Sequence, residues 1–311
     1  MGLTVQASAP GRCGILGNPS DIYGGKVLSC SVPVRARCRL SVSKVEELPE
    51  DRRLWDAAVA RFPLRFPVKV EWETEVPRSS GLSGSTALLA ATLACVLALD
   101  HQKPDLRDAR TRVEFTELLR DIERYDAGVM CGFQDAYMIV HGGIQLMDFA
   151  GKHPVLPGPP ASLVSLDLPL PFLLVTTGVE RLSGAVHGPM SERWMARESA
   201  VVNAISEIGL LAEPGAEALA KGDLSSLAAV MSENQRLIAG VGGSGDAVDL
   251  LIERCLAHGA LAAKLAGAGM GGTVIALTED AAGLEARLRL QGYERFIRPV
   301  NAQGLRYEGI D

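Results

Sequence analysis

A chain of 311 residues is about twice the length of a typical domain, so two packed domains are the first expectation. Apolar residues make up 47% and charged residues 22%, which excludes a disordered, collagen-like or disulfide-scaffold protein. With 31 Lys+Arg against 37 Asp+Glu, the net charge of −6 gives no basic footprint for nucleic acid.

Runs rich in β-branched and apolar residues, broken by Pro or Gly, predict strands at Thr4–Ala9, Cys13–Leu16, Val27–Ser31, Ala36–Val45 and Val68–Glu75. Helical spacing predicts helices at Ser85–Leu99 and Thr111–Tyr125. The longest apolar run, Ala87–Leu99, is too short to span a bilayer and reads as a core helix. The N-terminus lacks a basic segment followed by an apolar one, so no signal peptide is expected. Asp135–Val140 and Ile144–Asp148, around His141-Gly142-Gly143, predict a hairpin.

Gly151–Pro160 holds four prolines and two glycines and reads as a linker, dividing the chain into domains 1–155 and 156–311. Beyond it, a strand is predicted at Phe172–Thr176 and helices at Met190–Ile208, Leu224–Ile238 and Ala247–His258. Strands Leu261–Leu265 and Thr273–Leu277 flank a glycine loop; helix Ala281–Leu290 and strand Phe296–Val300 close the pattern. The class is α+β. Six scattered cysteines with no C-x-x-C pair read as reduced thiols of a cytoplasmic protein rather than a zinc site.

Three loops carry chemistry. Pro77-Arg-Ser-Ser-Gly-Leu-Ser-Gly-Ser-Thr86 joins a predicted strand to the apolar helix. Its small residues permit a tight turn with exposed N–H groups, and the helix N-terminus adds positive potential, a combination suited to phosphate. An ordinary Ser/Thr cap has the same composition. No Gly-Lys-Ser/Thr follows, so it is not a P-loop. Gly267-Ala-Gly-Met-Gly-Gly272, preceded by Lys264, is either a wide hairpin turn or a close backbone approach to a ligand. In Pro10–Gly25 the only charged residues are Arg12 and Asp21, which either form a surface ion pair or meet something polar.

Together the three loops, in this order, resemble the motifs of the GHMP kinase superfamily, from Pro10-Gly11-Arg12 to Lys264-Leu-Ala-Gly-Ala-Gly-Met-Gly-Gly272. The resemblance implies a ribosomal-protein-S5-like N-terminal domain, a ferredoxin-like C-terminal domain and a site in the cleft between them. Within the superfamily, Asn18-Pro-Ser-Asp21, Pro77-Arg78, Cys131-Gly-Phe-Gln-Asp135 and Ser183-Gly-Ala-Val-His187 look most like glucuronokinase. Heptose-phosphate kinases share part of this pattern.

The implied activity is ATP-dependent phosphorylation of a sugar or sugar acid, with Mg²⁺, by a monomer or homodimer. By the same resemblance, Asp135 accepts or orients the acceptor hydroxyl proton and Arg12 stabilises the transferring phosphoryl. Ser79, Ser80, Gly81, Leu82, Ser83, Gly84, Ser85 and Thr86, with Gly267, Gly269 and Gly271, wrap the triphosphate. Glu123, with Ser85 or Thr86 according to the register of the loop, holds the metal, and Asp126 is the fallback ligand. Asp21, Gln134 and His187 contact the sugar; Arg78, Arg181 and Arg193 are candidate partners for a uronate carboxylate. A nucleotide or sugar sensor without turnover is the reading from another class, and the presence of Arg12, Ser85, Glu123 and Asp135 argues against it. An isoprenoid-pathway kinase of the same fold would require more basic residues than the Asn18–Asp21 loop offers.

Overall fold

The structure is a computed structural model that describes residues 3–156, 158–179, 184–267 and 272–310, with no account of the side chains of 184–187 and 310. The first part of the chain runs β1 (Thr4–Leu16), β2 (Lys26–Val42), α1 (Arg53–Arg61), β3 (Val68–Thr74), α2 (Gly84–Asp100), α3 (Ala109–Asp121), α4 (Gln134–His141), β4 (Ile144–Asp148) and β5 (Ser162–Leu166). The second runs β6 (Phe172–Thr176), α5 (Gly184–Met195), α6 (Ser199–Leu210), α7 (Ala212–Lys221), α8 (Leu224–Gly240), α9 (Asp246–Ala257), β7 (Ala262–Leu265), β8 (Thr273–Leu277), α10 (Ala281–Arg289), β9 (Phe296–Ile297) and β10 (Arg306–Ile310).

One antiparallel sheet has the order β10-β1-β2-β4-β5, with β3 also paired to β2; the other has the order β7-β8-β6-β9. The four strand segments predicted at the N-terminus are two long strands. Bulges between Pro10 and Arg12 and between Gly14 and Leu16 absorb the glycines and the proline without ending the ladder. Val5, Ala7 and Ala9 of β1 pack in one core with Leu89 and Leu93 of α2. Cys13, Ile15 and Leu16 pack in another with Leu174, Leu227 and Ile275. Arg12 therefore lies where β1 crosses from one core to the other.

Helix α2 is apolar around its whole circumference, as a helix buried on every side requires, and its many alanines let β1 and β2 approach. In the second sheet, the alternation of strand side chains sends Leu173 and Val175 to a core shared with α6, α8, α9 and α10. Phe172 and Leu174 face the core shared with β1.

Three expectations are corrected. Asp135–Val140 is not a strand of a hairpin: it lies in helix α4, whose N-terminus is set by a side chain described below. The predicted helix Met190–Ile208 is two helices, broken at Ala196–Glu198, where Arg197 has φ 57. The sheets do not divide at 155/156, since β5 and β10 both belong to the first sheet. The return of β10 is fixed by Arg35, whose guanidinium donates to Ser8 O, Gln303 O and Gly304 O, and by Leu305 N donating to Ile139 O.

Candidate active site

Arg12 is the hub. From β1 its Nε and Nη2 donate to Asp135 Oδ1 at 2.8 and 2.6 Å, and its Nη1 donates to Gly81 O at 2.8 Å and Ala266 O at 3.4 Å. One buried guanidinium thus joins the first loop to the Ser79–Thr86 loop, to the approach of the glycine loop and to α4. A planar five-donor fork is the group suited to such divergent acceptors. Gly11 permits the approach, because a Cβ there would lie 2.9 Å from Val32 Cγ2 and 3.0 Å from Leu82 O. The adjacent Arg12 N–H donates to that same Leu82 carbonyl. Asp135 Oδ2 has no hydrogen-bond partner among the described residues, and the side chain is partly exposed.

Asp21 is fully buried in a short 3₁₀ turn, Ser20–Tyr23. Its Oδ2 accepts from the backbone N–H of Phe133 at 2.7 Å and of Gln134 at 3.0 Å, so the carboxylate sits at the N-terminus of α4. Gly132 makes room, since a Cβ there would be 2.3 Å from that oxygen. Burial, and secondarily the charge of Asp135, push the Asp21 carboxyl up to about 6 against these hydrogen bonds. Gln134 is turned to protein partners: Nε2 donates to Asp21 Oδ1 and Oε1 accepts from Ser29.

Glu123 lies in the single π-turn Ile122–Asp126 that follows α3. It is buried, accepts from Thr86 Oγ1 at 2.8 Å through Oε1, and has no partner for Oε2. Burial first, then the nearby charge of Asp135, push its carboxyl up to about 7. Ser85 is exposed at the first turn of α2, so Thr86 is the hydroxyl brought to Glu123. Asp126 pairs with Arg61 at 2.7 Å instead.

In the Ser79–Thr86 loop, Ser79, Gly81 and Ser83 have φ of 53°, 76° and 59°. Alternate residues at positive φ turn successive N–H groups to one side, the backbone pattern of an anion nest. The buried Ser83 Oγ lacks a hydrogen-bond partner. Two serines held in the left-handed region mark the loop as a strained, over-determined site.

The donor set fits Mg²⁺. An orphaned carboxylate oxygen, a hydroxyl and a neighbouring aspartate suit a hard cation that keeps several ligands from water and phosphate. No group of three or more His, Cys, Asp or Glu that could hold a metal occurs among the described residues.

Other candidates fall elsewhere. Arg193 donates to Glu198 at 2.6 Å and to Val241 O at 2.6 Å. Arg78 is exposed and lines a cavity of about 300 Å³ together with Arg295, Thr176 and Thr177. Gly267 is in place, its carbonyl accepting from Asn18 Nδ2 at 3.0 Å. Arg181, Gly269 and Gly271 lie outside the described residues, as does the side chain of His187.

Two features escaped the sequence reading. Tyr23 packs against Trp194 with ring centroids 5.0 Å apart, and His153 packs edge-on to the same indole, an aromatic wall two residues from Asp21. Three distant segments build it, so only the aromatic type of Tyr23 pointed there. The other is the environment of Lys264, taken up below.

Two family models match: the GHMP kinase N-terminal domain over residues 52–143 and the GHMP kinase C-terminal domain over residues 216–294, together more than half of the chain. The chain belongs to the GHMP kinases, and the fold is theirs. Among curated proteins it resembles probable glucuronokinase 2 of Arabidopsis thaliana, 28% identical over 249 residues, covering 78% of this chain and 66% of that one. Glucuronokinase 1 of the same plant is 30% identical over 170 residues, 53% of this chain and 44% of that one. The chain thus spans about two thirds of the length of the first relative and less than half of the second. The crystal structure of Lactococcus lactis galactokinase complexed with galactose superposes with a TM-score of 0.77 at 17% identity, covering 97% of this chain and 95% of that one.

Proposed function

We propose that the protein is an ATP-dependent sugar kinase that phosphorylates the anomeric hydroxyl of a hexuronic acid. The observation that carries the kinase reading is the Arg12 clamp, which gathers a phosphate-type nest, an aspartate with a free oxygen and the glycine-loop approach around one cation.

The N–H groups of Ser79–Ser83 cradle the triphosphate, and Thr86 with Glu123 would hold Mg²⁺. When bound, that ion neutralises charge on the β- and γ-phosphates. Arg12, fixed by Asp135, meets the charge of the transferring phosphoryl without reorganising. Asp135 Oδ2 takes or orients the hydroxyl proton, Asp21 holds the N-terminus of the helix that presents Asp135, and Tyr23 and Trp194 supply an apolar face for the ring.

The acidic substrate is supported by the glucuronokinase relatives. An ADP-release screen over uronic acids, neutral hexoses, deoxyhexoses and heptose phosphates tests the reading. Uronates are expected to exceed the matching neutral hexoses in kcat/KM by at least about tenfold. Neutral hexoses outperforming the uronates would sink the acid assignment, and a heptose phosphate winning would move the protein to that neighbouring branch.

The environment of Asp21 adds a pH dependence. Below about 6 its carboxyl is protonated and its hold on the N–H groups that start the Asp135 helix weakens, so kcat/KM for the sugar should fall as pH drops through that value, with an Asp21→Asn variant flat there. Its effect on folding has the opposite sign. A carboxyl raised from 3.8 to about 6 by folding stabilises fully below 3.8 and loses that contribution as pH rises through about 6. Chemical melts of wild type and variant across pH 4–8 separate the two effects.

A further inference from the structure

Lys264, in β7, is fully buried. Its Nζ donates to Asn18 Oδ1 at 2.8 Å and to Leu265 O at 2.7 Å, and no ion pair forms with it among the described residues. Asn18 in turn donates from Nδ2 to Gly267 O at 3.0 Å. A parallel link runs beside it, from Gly14 N–H to Ala266 O at 2.9 Å, and Arg12 Nη1 reaches the same carbonyl. The first loop and the start of the glycine loop are therefore joined by a short polar chain inside an apolar core.

We propose that Lys264 is a positioning residue for phosphoryl transfer: through Asn18 it straps the Gly267 end of the glycine loop to the loop that carries Arg12 and Asp21. The inference rests on the kinase reading for its consequence in turnover, but the strap itself does not depend on it.

The geometry explains why a lysine stands there. A buried ammonium is costly unless its donors are used, and a residue serving only to fill the core would be an aliphatic one. Here the burial that pushes the ammonium down to about 7, with the charge of Arg12 acting in the same direction, is borne by an amide and a carbonyl rather than by a carboxylate. Both acceptors belong to the segments that flank the site. Removing the amine strands the Asn18 and Leu265 oxygens, and a stranded buried polar group is the kind of defect that loosens a loop before it unfolds a domain.

The test uses Lys264→Met, Asn18→Leu and the double variant. Amide exchange of Gly14 and Ala266 is expected to speed up by about tenfold or more in each single variant, beyond any change in globally exchanging amides. Turnover should fall by about 10- to 100-fold, with the calorimetric affinities for nucleotide and sugar within about threefold of wild type. The double variant should be no slower than the worse single one, because both substitutions cut the same chain. Unchanged exchange at Gly14 and Ala266 would overturn the strap whatever the enzyme's substrate. Faster exchange with intact kcat, or losses that multiply in the double variant, would overturn the positioning role. A wild-type protein that turns over no sugar would defeat the kinase reading alone, leaving the exchange data to decide the strap.

Discussion

Asp135→Asn is expected to lower kcat by about 10²- to 10⁴-fold while nucleotide affinity changes by no more than a few-fold. The asparagine oxygen can still accept from Nε and Nη2 of Arg12, so the clamp on Gly81 and Ala266 keeps its shape. What changes is the other position of the side chain. The carboxylate presents Oδ2 as a free acceptor to the sugar hydroxyl, whereas an amide presents an NH₂ donor there and cannot take or orient the proton. Arg12 also loses its counter-charge. Removing one partner of a largely buried pair costs several kcal/mol in the worst case, moderated here by the neutral acceptor that remains. Steady-state kinetics beside a calorimetric titration with a non-hydrolysable nucleotide separate the two losses. A variant with near-wild-type kcat would remove Asp135 from the chemistry, and one that no longer binds nucleotide would show that Arg12 had been dislodged.

The pairing of Arg12 with Asp135 also shows what a sequence can and cannot reveal. The loops were legible because small residues, helix starts and isolated charges have local physical signatures, and α2 because a long apolar run has few other outcomes. That the loops converge was not local: Arg12 and Asp135 are 123 positions apart, and Arg12 reaches Ala266 across 254. Helix α4 was misread for a related reason. Ala136, Tyr137, Met138, Ile139 and Val140 are all buried, so no polar face betrays a helical period, and Tyr137, Ile139 and Val140 are types that favour strands. What sets the helix is Asp21, which accepts the N–H groups of Phe133 and Gln134 from more than a hundred residues upstream. Arg193 pairs with Glu198, five positions later across a helix break, and with the Val241 carbonyl, contacts that sequence order alone did not suggest. The metal hydroxyl was ambiguous between Ser85 and Thr86 because one residue on a helix means a rotation of about 100°. Only the direction of α3 against α2 determines which of them faces Glu123.

Glu123→Gln should separate folding from metal use, because the carboxylate works against one and for the other. Folding raises its carboxyl from 4.5 to about 7, chiefly by burial and then by the charge of Asp135. A group so raised contributes stability that is complete below 4.5 and is lost as pH rises through about 7. At pH 8 the metal-free wild type therefore carries a buried charge with an unpaired oxygen, and the glutamine variant does not. The variant's melting temperature at pH 8 is expected to match or exceed that of wild type, with the advantage gone by pH 4.5. Turnover should move the other way. A carboxylate ligand helps fix an ion whose charge stabilisation of phosphoryl transfer is worth several kcal/mol, so kcat/KM for the metal–nucleotide complex should fall by about 100-fold or more. The Mg²⁺ concentration for half-maximal rate should rise with it. Thr86, still hydrogen-bonded to the remaining carbonyl oxygen, keeps the helix in place, so the loss is not one of folding. Melting curves in chelator and rates over a Mg²⁺ series decide the matter. An unchanged Mg²⁺ dependence would take the metal away from Glu123, whereas a variant that is less stable than wild type at pH 8 would mean that the buried carboxylate was holding the fold after all.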